Sequence, residues 1–383
     1  NNSVNYKEKP DVGTFMREWL SLYDSKSGER GVYSSMSAQR HTEKLNIQRK
    51  NKDGTYVQRR VAKEDFGTNP CSEIILRSRE FCNLSEVVIR REDTRESLKE
   101  KVRIATIIGT FQSTLTEFKY LSREWKRNCD EERLLGVSLT GIMDNPLTNG
   151  SKKGLENLLG DLKDVAYETN KEWADKLGIN SAAAITCVKP SGTVSQLVDS
   201  ASGIHARHSP YYIRTVRADN KDPLCQMMKE RGFPNEPDIT KPNHTTVFSF
   251  PMKSPKGAIC RNEMTAWKQL SLWHTYAKHW CEHKPSVTIT IKDEEWIEVG
   301  AWVFKYFDMI SGISFLPYSD HSYRQAPYQD CTEEQYKEFI KTMPKNIDWV
   351  GLSKFEVEDH TRSSQEYSCT SDKGCEIVDL VKE

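Results

Sequence analysis

No stretch of this chain approaches the roughly 18 consecutive apolar residues that a membrane helix needs. Its first residues also lack the charged-then-apolar pattern of a secretory leader. There is no charge excess either, since 55 Lys and Arg balance 55 Asp and Glu. That balance argues against a protein whose main task is to hold a nucleic-acid backbone, which calls for basic surplus. The pairs Arg59-Arg60 and Arg90-Arg91 are read as solvated faces. The 10 cysteines show no tight periodic spacing, so a disulfide scaffold is not indicated. In a chain of this length they fit a reducing compartment, taken here as the cytoplasm, in which a few thiols are chemical. No internal repeat or low-complexity block occurs. What remains is a 383-residue chain, 37% hydrophobic and 29% charged, with ample material for one large domain or two ordinary ones. The opening Asn1-Asn2-Ser3-Val4 reads as mid-protein sequence, which points to a fragment, a split-gene product or a processed chain.

Hydrophobic periodicity gives a run of alternating elements. Phe15, Trp19 and Leu22 fall on one face of a helix over Pro10 to Tyr23. Asn46 to Val61 alternates around Asp53-Gly54, a hairpin signal. Ile74 to Leu76 reads as a short strand, Ser97 to Arg127 as one long helix, Glu131 to Ile142 as another, and Lys152 to Leu177 as a third. Ala182 to Val188 reads as a buried strand feeding a short helical run that ends near Ser202-Gly203. Strands are expected at Ser209 to Val216, Thr245 to Phe250, Ser286 to Ile291 and Gly312 to Pro317. Helices are expected at Glu263 to His283, Glu294 to Asp308 and Glu333 to Lys341. Alternating strands and helices imply an α/β fold with parallel strands. From about Glu356 the sequence turns polar and unpatterned, as a mobile tail would.

Asn69-Pro70-Cys71-Ser72-Glu73, followed by Phe81-Cys82-Asn83-Leu84, is the most informative stretch. In extended backbone alternate side chains share a side, so Asn69, Cys71 and Glu73 can converge on one small substrate. Pro70 stiffens the triplet by fixing its own φ and restricting Asn69. The thiol of Cys82 can return beside Cys71 if Arg77 to Glu80 form a turn. Such a group can abstract hydrogen, move a proton and supply electrons in one pocket. A lone cysteine would be read as buried packing; the ordered set is not a lone cysteine. Lys189-Pro190-Ser191-Gly192-Thr193-Val194-Ser195 lies between a strand and a helix. Small residues there let backbone N–H groups approach an anion, although a Ser-Gly-Thr turn alone is usually a helix cap. His279 and His283 share a helical face without a third metal ligand, so that segment is read as a solvated helix end, and no metal site is expected. His205 is assigned a local turn hydrogen bond. Cys129, Cys187, Cys225, Cys260 and Cys331 are assigned to packing or surface, and Tyr211, Tyr212 and Trp273 to the core.

At these motifs the chain resembles the ribonucleotide reductases. Its likeness is to the adenosylcobalamin-dependent class II enzymes of the monomeric ribonucleoside-triphosphate reductase type, in their C-terminal half. Pro70 favours class II, since class I enzymes usually carry Leu there. Further likeness lies in Gly136-Val137-Ser138-Leu139-Thr140-Gly141, Lys189 to Thr193, Gly203-Ile204-His205 and Ser314-Phe315-Leu316-Pro317-Tyr318.

The resemblance implies part of a ten-stranded α/β barrel with a central finger loop, over residues 1–355, and a redox-active tail over 356–383. It implies Cys71 as the thiyl radical that removes the 3′ hydrogen of a ribonucleotide, Glu73 as the base for the 3′-hydroxyl, and Asn69 as the amide that orients the sugar. Cys82 is implied as a reducing thiol whose partner lies upstream in the family; none of the first 70 residues here is cysteine, so that partner would belong to a missing N-terminal half. Cys369 and Cys375 match the tail pair that carries electrons from a thioredoxin-type reductant, with a structural pair as the alternative. Pro190, Ser191, Gly192, Thr193 and Ser195 become the substrate phosphate site. The implied cofactor is adenosylcobalamin, and neither nucleic acid nor membrane is an expected partner. A class I type large subunit with a separate radical-generating subunit, and a catalytically incomplete nucleotide-binding fragment, are the competing readings.

Overall fold

A computed structural model of the chain describes residues 3–28, 30–48, 59–318 and 323–357. The described residues form two compact units, one drawn from residues 1–207 and 254–320, the other from 208–253 and 321–383.

The first unit opens with strand β1 (Val4–Tyr6), helix α1 (Val12–Ser25), strand β2 (Gly31–Ser34) and helix α2 (Ser35–Gln48). Asp11 caps α1 by accepting the Thr14 N–H at 3.0 Å, and Phe15, Trp19 and Leu22 form its buried face as the periodicity requires. The tips of a short hairpin, β3 (Gly67–Thr68) and β4 (Ile75–Leu76), follow, then strand β5 (Asn83–Val88). Helices α3 (Arg95–Gln112) and α4 (Arg123–Glu132) precede strand β6 (Leu135–Thr140), helix α5 (Leu155–Leu177), strand β7 (Thr186–Cys187) and the one-turn helix α6 (Val194–Leu197).

Two expectations give way here. The helix expected over Ser97 to Arg127 is two helices, because Ser113 and Thr114 return their hydroxyls to the carbonyls of Thr110 and Phe111 and end the first one. The segment from Glu131 to Ile142 holds a strand where a helix was expected. Every residue of β6 is buried, between parallel neighbours β5 and β7, so it has no polar face and shows no alternation to read. The hairpin expected around Asp53-Gly54 lies outside the described residues, and its first residues, Asn46 to Gln48, finish α2.

After the second unit come helix α8 (Ala266–His279), strand β11 (Thr288–Ile291), helix α9 (Trp296–Lys305) and strand β12 (Gly312–Pro317). These complete a four-stranded sheet in the order β1-β2-β12-β11, with two parallel pairs meeting at the antiparallel β2–β12 pair. A single parallel bridge between Val188 and Pro285 joins this sheet to β5-β6-β7, so seven strands make one arc. Among the described residues the arc does not close into a barrel. Helices α1, α3, α5, α8 and α9 pack on it around one core that includes Trp273, Tyr276, Trp280, Phe307 and Phe315.

The second unit is an antiparallel sheet in the order β13-β8-β10-β9, from β8 (Tyr211–Asp219), β9 (Asn235–Pro237), β10 (Thr245–Lys253) and β13 (Tyr328–Asp330). Helices α7 (Pro223–Glu230) and α10 (Glu333–Thr342) accompany it. Its small core gathers Cys225, Met228, Phe233 and Phe248. Asp222 caps α7, with Pro223 at the first helical position, where the missing N–H costs nothing.

Candidate active site

The Asn69–Glu73 segment is the tip of the β3–β4 hairpin, and its backbone is a tight turn where extended geometry was expected. Ser72 donates its N–H to the Asn69 carbonyl at 2.9 Å and takes a left-handed φ of 66°. The turn separates the triplet. Asn69, Pro70, Cys71 and Ser72 line a cavity of about 310 Å³ with Tyr33, Ser286, Val287 and Gly312 to Ser314, while Glu73 turns inward. Asn69 also braces the turn, its side-chain oxygen accepting the Ile74 N–H at 3.0 Å.

Two further contacts fix the tip to the arc. Ser286 donates its hydroxyl to the Cys71 carbonyl at 2.6 Å, and the Lys284 N–H reaches the Glu73 carbonyl at 3.2 Å. Below the tip, His283 accepts the Ile75 N–H at 3.2 Å through Nδ1 and meets the Leu135 carbonyl at 2.9 Å through Nε2. The segment Trp280 to His283 is therefore buried and serves as the hairpin's mount, not as a solvated helix end. The hairpin base is held by charge. Arg60 donates to the Ile75 carbonyl at 3.1 Å and pairs with Glu132 at 2.7 Å and Glu80 at 3.4 Å, while Arg59 pairs with Glu282 at 2.6 Å. Arg59 and Arg60, read as solvated, are buried for this reason.

The electrostatics favour protonated thiols. Partial desolvation at the cavity wall, then the nearby Glu73 carboxylate, raises the Cys71 thiol above its ordinary pKa, with Lys189 pulling it back. Burial and the carboxylates of Glu73 and Glu80 push Cys82 well above the ordinary range. A nucleophilic cysteine is arranged the opposite way, with its pKa depressed. Here both sulfurs keep their hydrogens at neutral pH, as hydrogen-atom transfer requires. Cys82 lies at the start of β5, against Gly136 on β6. A Cβ on Gly136 would lie 3.1 Å from the Cys82 sulfur and 2.4 Å from Leu84, so the close approach needs glycine. Glu73 is 0% exposed, and neither carboxylate oxygen has a hydrogen-bond partner.

The Ser-Gly-Thr loop belongs to the same neighbourhood, since the Lys189 charge acts on both Cys71 and Glu86. Burial raises the Glu86 carboxyl, while the Ser191 hydroxyl and Lys189 lower it. Pro190 is half-buried, Ser191 is buried at a φ of 55°, and Gly192 and Thr193 are exposed. Ser195, expected among the phosphate contacts, is buried and shares a 2.7 Å hydrogen bond with Ser202. Gly203 adopts a φ of 51° and would set a Cβ 2.4 Å from the Lys189 carbonyl, so the return of the loop depends on glycine. Arg207 locks that return on Asp144 at 2.8 Å and Asp199 at 2.8 Å. His205 makes the local bond to the Ser202 carbonyl at 3.1 Å and also accepts the Thr288 N–H at 3.1 Å.

Lys284, Glu86, Lys189 and Ser286 escaped assignment from the sequence. Lys284-Pro285-Ser286 reads there as an ordinary strand entry; only its return to the finger, more than 200 residues away in sequence, gives it meaning. Cys369 and Cys375 lie outside the described residues. Among the described residues no cluster of His, Cys, Asp and Glu could hold a metal ion, and no helix is long and apolar enough to cross a membrane.

No protein-family model matches the chain. It is 29% identical over 311 residues to an adenosylcobalamin-dependent ribonucleoside-triphosphate reductase of Euglena gracilis, covering 80% of this chain and 42% of that protein. It is 30% identical over 313 residues to the enzyme of the same name from Lactobacillus acidophilus, covering 74% and 42%. The chain thus spans less than half the length of these curated relatives. Among solved structures, a B12-dependent class II ribonucleotide reductase superposes with a TM-score of 0.74 at 23% identity, over 93% of this chain and 51% of that one. The class Id α subunit of Actinobacillus ureae follows at a TM-score of 0.51 and 14% identity. Across about three-quarters of its length, then, the chain is a homologue of the adenosylcobalamin-dependent ribonucleoside-triphosphate reductases, with the mixed α/β fold of part of a class II enzyme.

Proposed function

We infer that the chain supplies the radical-bearing part of an adenosylcobalamin-dependent ribonucleotide reductase, acting on ribonucleotides, in triphosphate form by analogy with the relatives' names. The observation that carries this reading is the Cys71 thiol at a hairpin tip, lining a cavity of about 310 Å³, with a buried carboxyl group two residues on. A cavity of that size lies at the lower end for small ligands and suits a ribose with part of its nucleotide.

In this role the Cys71 sulfur, as a thiyl radical, takes a hydrogen atom from the 3′ carbon; an S–H bond forms as a C–H bond breaks. Glu73 takes the 3′-hydroxyl proton, which helps the 2′-hydroxyl depart as water. For that the buried carboxylate must turn toward the cavity when the sugar binds. Asn69 lines the cavity where it can orient the ribose. Net reduction consumes two electrons and two protons from a pair of thiols, which leave as a disulfide. Cys82 is one of the pair, and its partner comes from the N-terminal half. Cys369 and Cys375 return the electrons from a thioredoxin-type dithiol. Ser191, Gly192 and Thr193, with Pro190 shaping the turn, face the substrate phosphates, and Lys189 adds positive charge. We take 1–355 as catalytic and 356–383 as the redox tail, working in a reducing cytoplasm.

Adenosylcobalamin, when bound, supplies the radical through homolysis of its cobalt–carbon bond. The cavity of about 310 Å³ is the one given to the sugar, and no described residue is assigned to hold the cofactor.

The test joins this chain to a complementary N-terminal half, with adenosylcobalamin and a small dithiol, and measures deoxynucleotide formation. Turnover that disappears in Cys71→Ser supports the reading, and turnover that survives overturns it. The alternative is a nucleotide-binding piece without catalysis. Nucleotide binding with no complementation would select it.

A further inference from the structure

We propose that Lys284 is a positioning residue of the radical-bearing loop, holding Ser72 from beneath and setting a positive charge behind the buried Glu73 carboxylate. The proposal deepens the functional reading above and rests on it. Lys284 is a buried lysine whose ammonium donates to the Ser72 hydroxyl at 2.8 Å, while its own N–H holds the Glu73 carbonyl. One residue thus grips the two residues that follow Cys71.

Its place is made by a missing side chain. A Cβ on Gly312 would lie 2.0 Å from the Lys284 nitrogen and 2.7 Å from the Ser72 oxygen. Strand β12 therefore carries glycine where the ammonium and hydroxyl meet. Burying a lysine is expensive without a reason. The reason on hand is Glu73, fully buried and without a hydrogen-bond partner. The charged and titratable groups acting on Lys284 are Glu73 on the finger and Cys281 on the segment after α8; Ser72 and Gly312 are neutral. Burial lowers the Lys284 ammonium to about 7, with Glu73 as the main opposing influence.

The test uses the full chain labelled with ε-¹³C lysine, the Lys284 resonance being assigned by its loss in Lys284→Met or Lys284→Arg. We expect it to titrate near neutrality and to move down by about one unit or more in Glu73→Gln, as loss of a close opposite charge requires. A second readout is the peptide-resolved alkylation rate of Cys71. Lys284→Met and Gly312→Ala should raise that rate several-fold and alike, since both release Ser72. A Lys284 resonance that titrates as an ordinary solvated lysine and ignores Glu73→Gln overturns the proposal, as does a Cys71 rate unchanged in both variants. Neither readout involves nucleotide, reductant or cobalamin. Failure here is therefore distinct from failure of the reductase reading, which is decided by turnover of Cys71→Ser.

Discussion

The finger hairpin buries two acidic residues in opposite ways. At its base, Glu80 is enclosed by Arg60 and Arg77 and neighboured by Glu132, a network that ties the hairpin to α4. At its tip, Glu73 is as deeply buried, yet both its oxygens lack hydrogen-bond partners, and the Lys284 charge acts on it without an ion-pair contact. An acid paired with two arginines is committed to structure. One left without hydrogen bonds is held for a partner that arrives later. The difference separates scaffold from reactive tip within some twenty residues of chain.

That contrast can be broken at either end. The largest effect is expected at the tip: Cys71→Ser should remove all deoxynucleotide formation by the assembled enzyme while shifting chemical denaturation by about 0.5 kcal/mol or less, since the side chain is exposed. A denaturation midpoint that falls along with activity would place Cys71 in the scaffold instead. At the base, Arg60→Met should cost about 3–5 kcal/mol in urea unfolding above about pH 8, where it strands Glu80 and Glu132 as charges in the interior. A smaller loss would mean that the two acids already share a proton.

A third experiment sharpens the comparison through pH. Burial first, then Glu132, raises the folded-state pKa of Glu80 to about 8 against the arginines. A raised carboxyl binds its proton more tightly when folded, so its contribution to stability is complete below the ordinary carboxyl range and fades as pH climbs toward 8. Glu80→Gln should flatten that decline between about pH 4.5 and 8, which unfolding curves at several pH values will show. At the small end, Arg79→Ala breaks only an exposed pair with Glu124 and should cost about 0.5 kcal/mol or less.

Much of the tip was legible from the sequence because its chemistry is local. Asn69, Cys71 and Glu73 lie within five residues, and no long-range information is needed to see an amide, a thiol and a carboxylate together. Their arrangement was not legible. A left-handed Ser72 between Cys71 and Glu73 turns a shared face into a cavity side and a buried side, and serine gives no warning of positive φ. Amphipathic helices such as α1 and α5 were readable since one face meets water; β6, wet on neither face, was not. Lys284 was invisible for another reason. Its importance comes from Ser72 and Gly312, which are distant in sequence and meet it only in the folded arc.

The seven-stranded arc has two open margins. Among the described residues β1 pairs only with β2, and β5 only with β6. Each leaves a row of amide and carbonyl groups ready to accept a further strand. Produced by itself, such a molecule invites self-association through those margins. If the proposed N-terminal half supplies the adjoining strands, co-expression with it should raise yield and suppress precipitation before any catalysis is assayed.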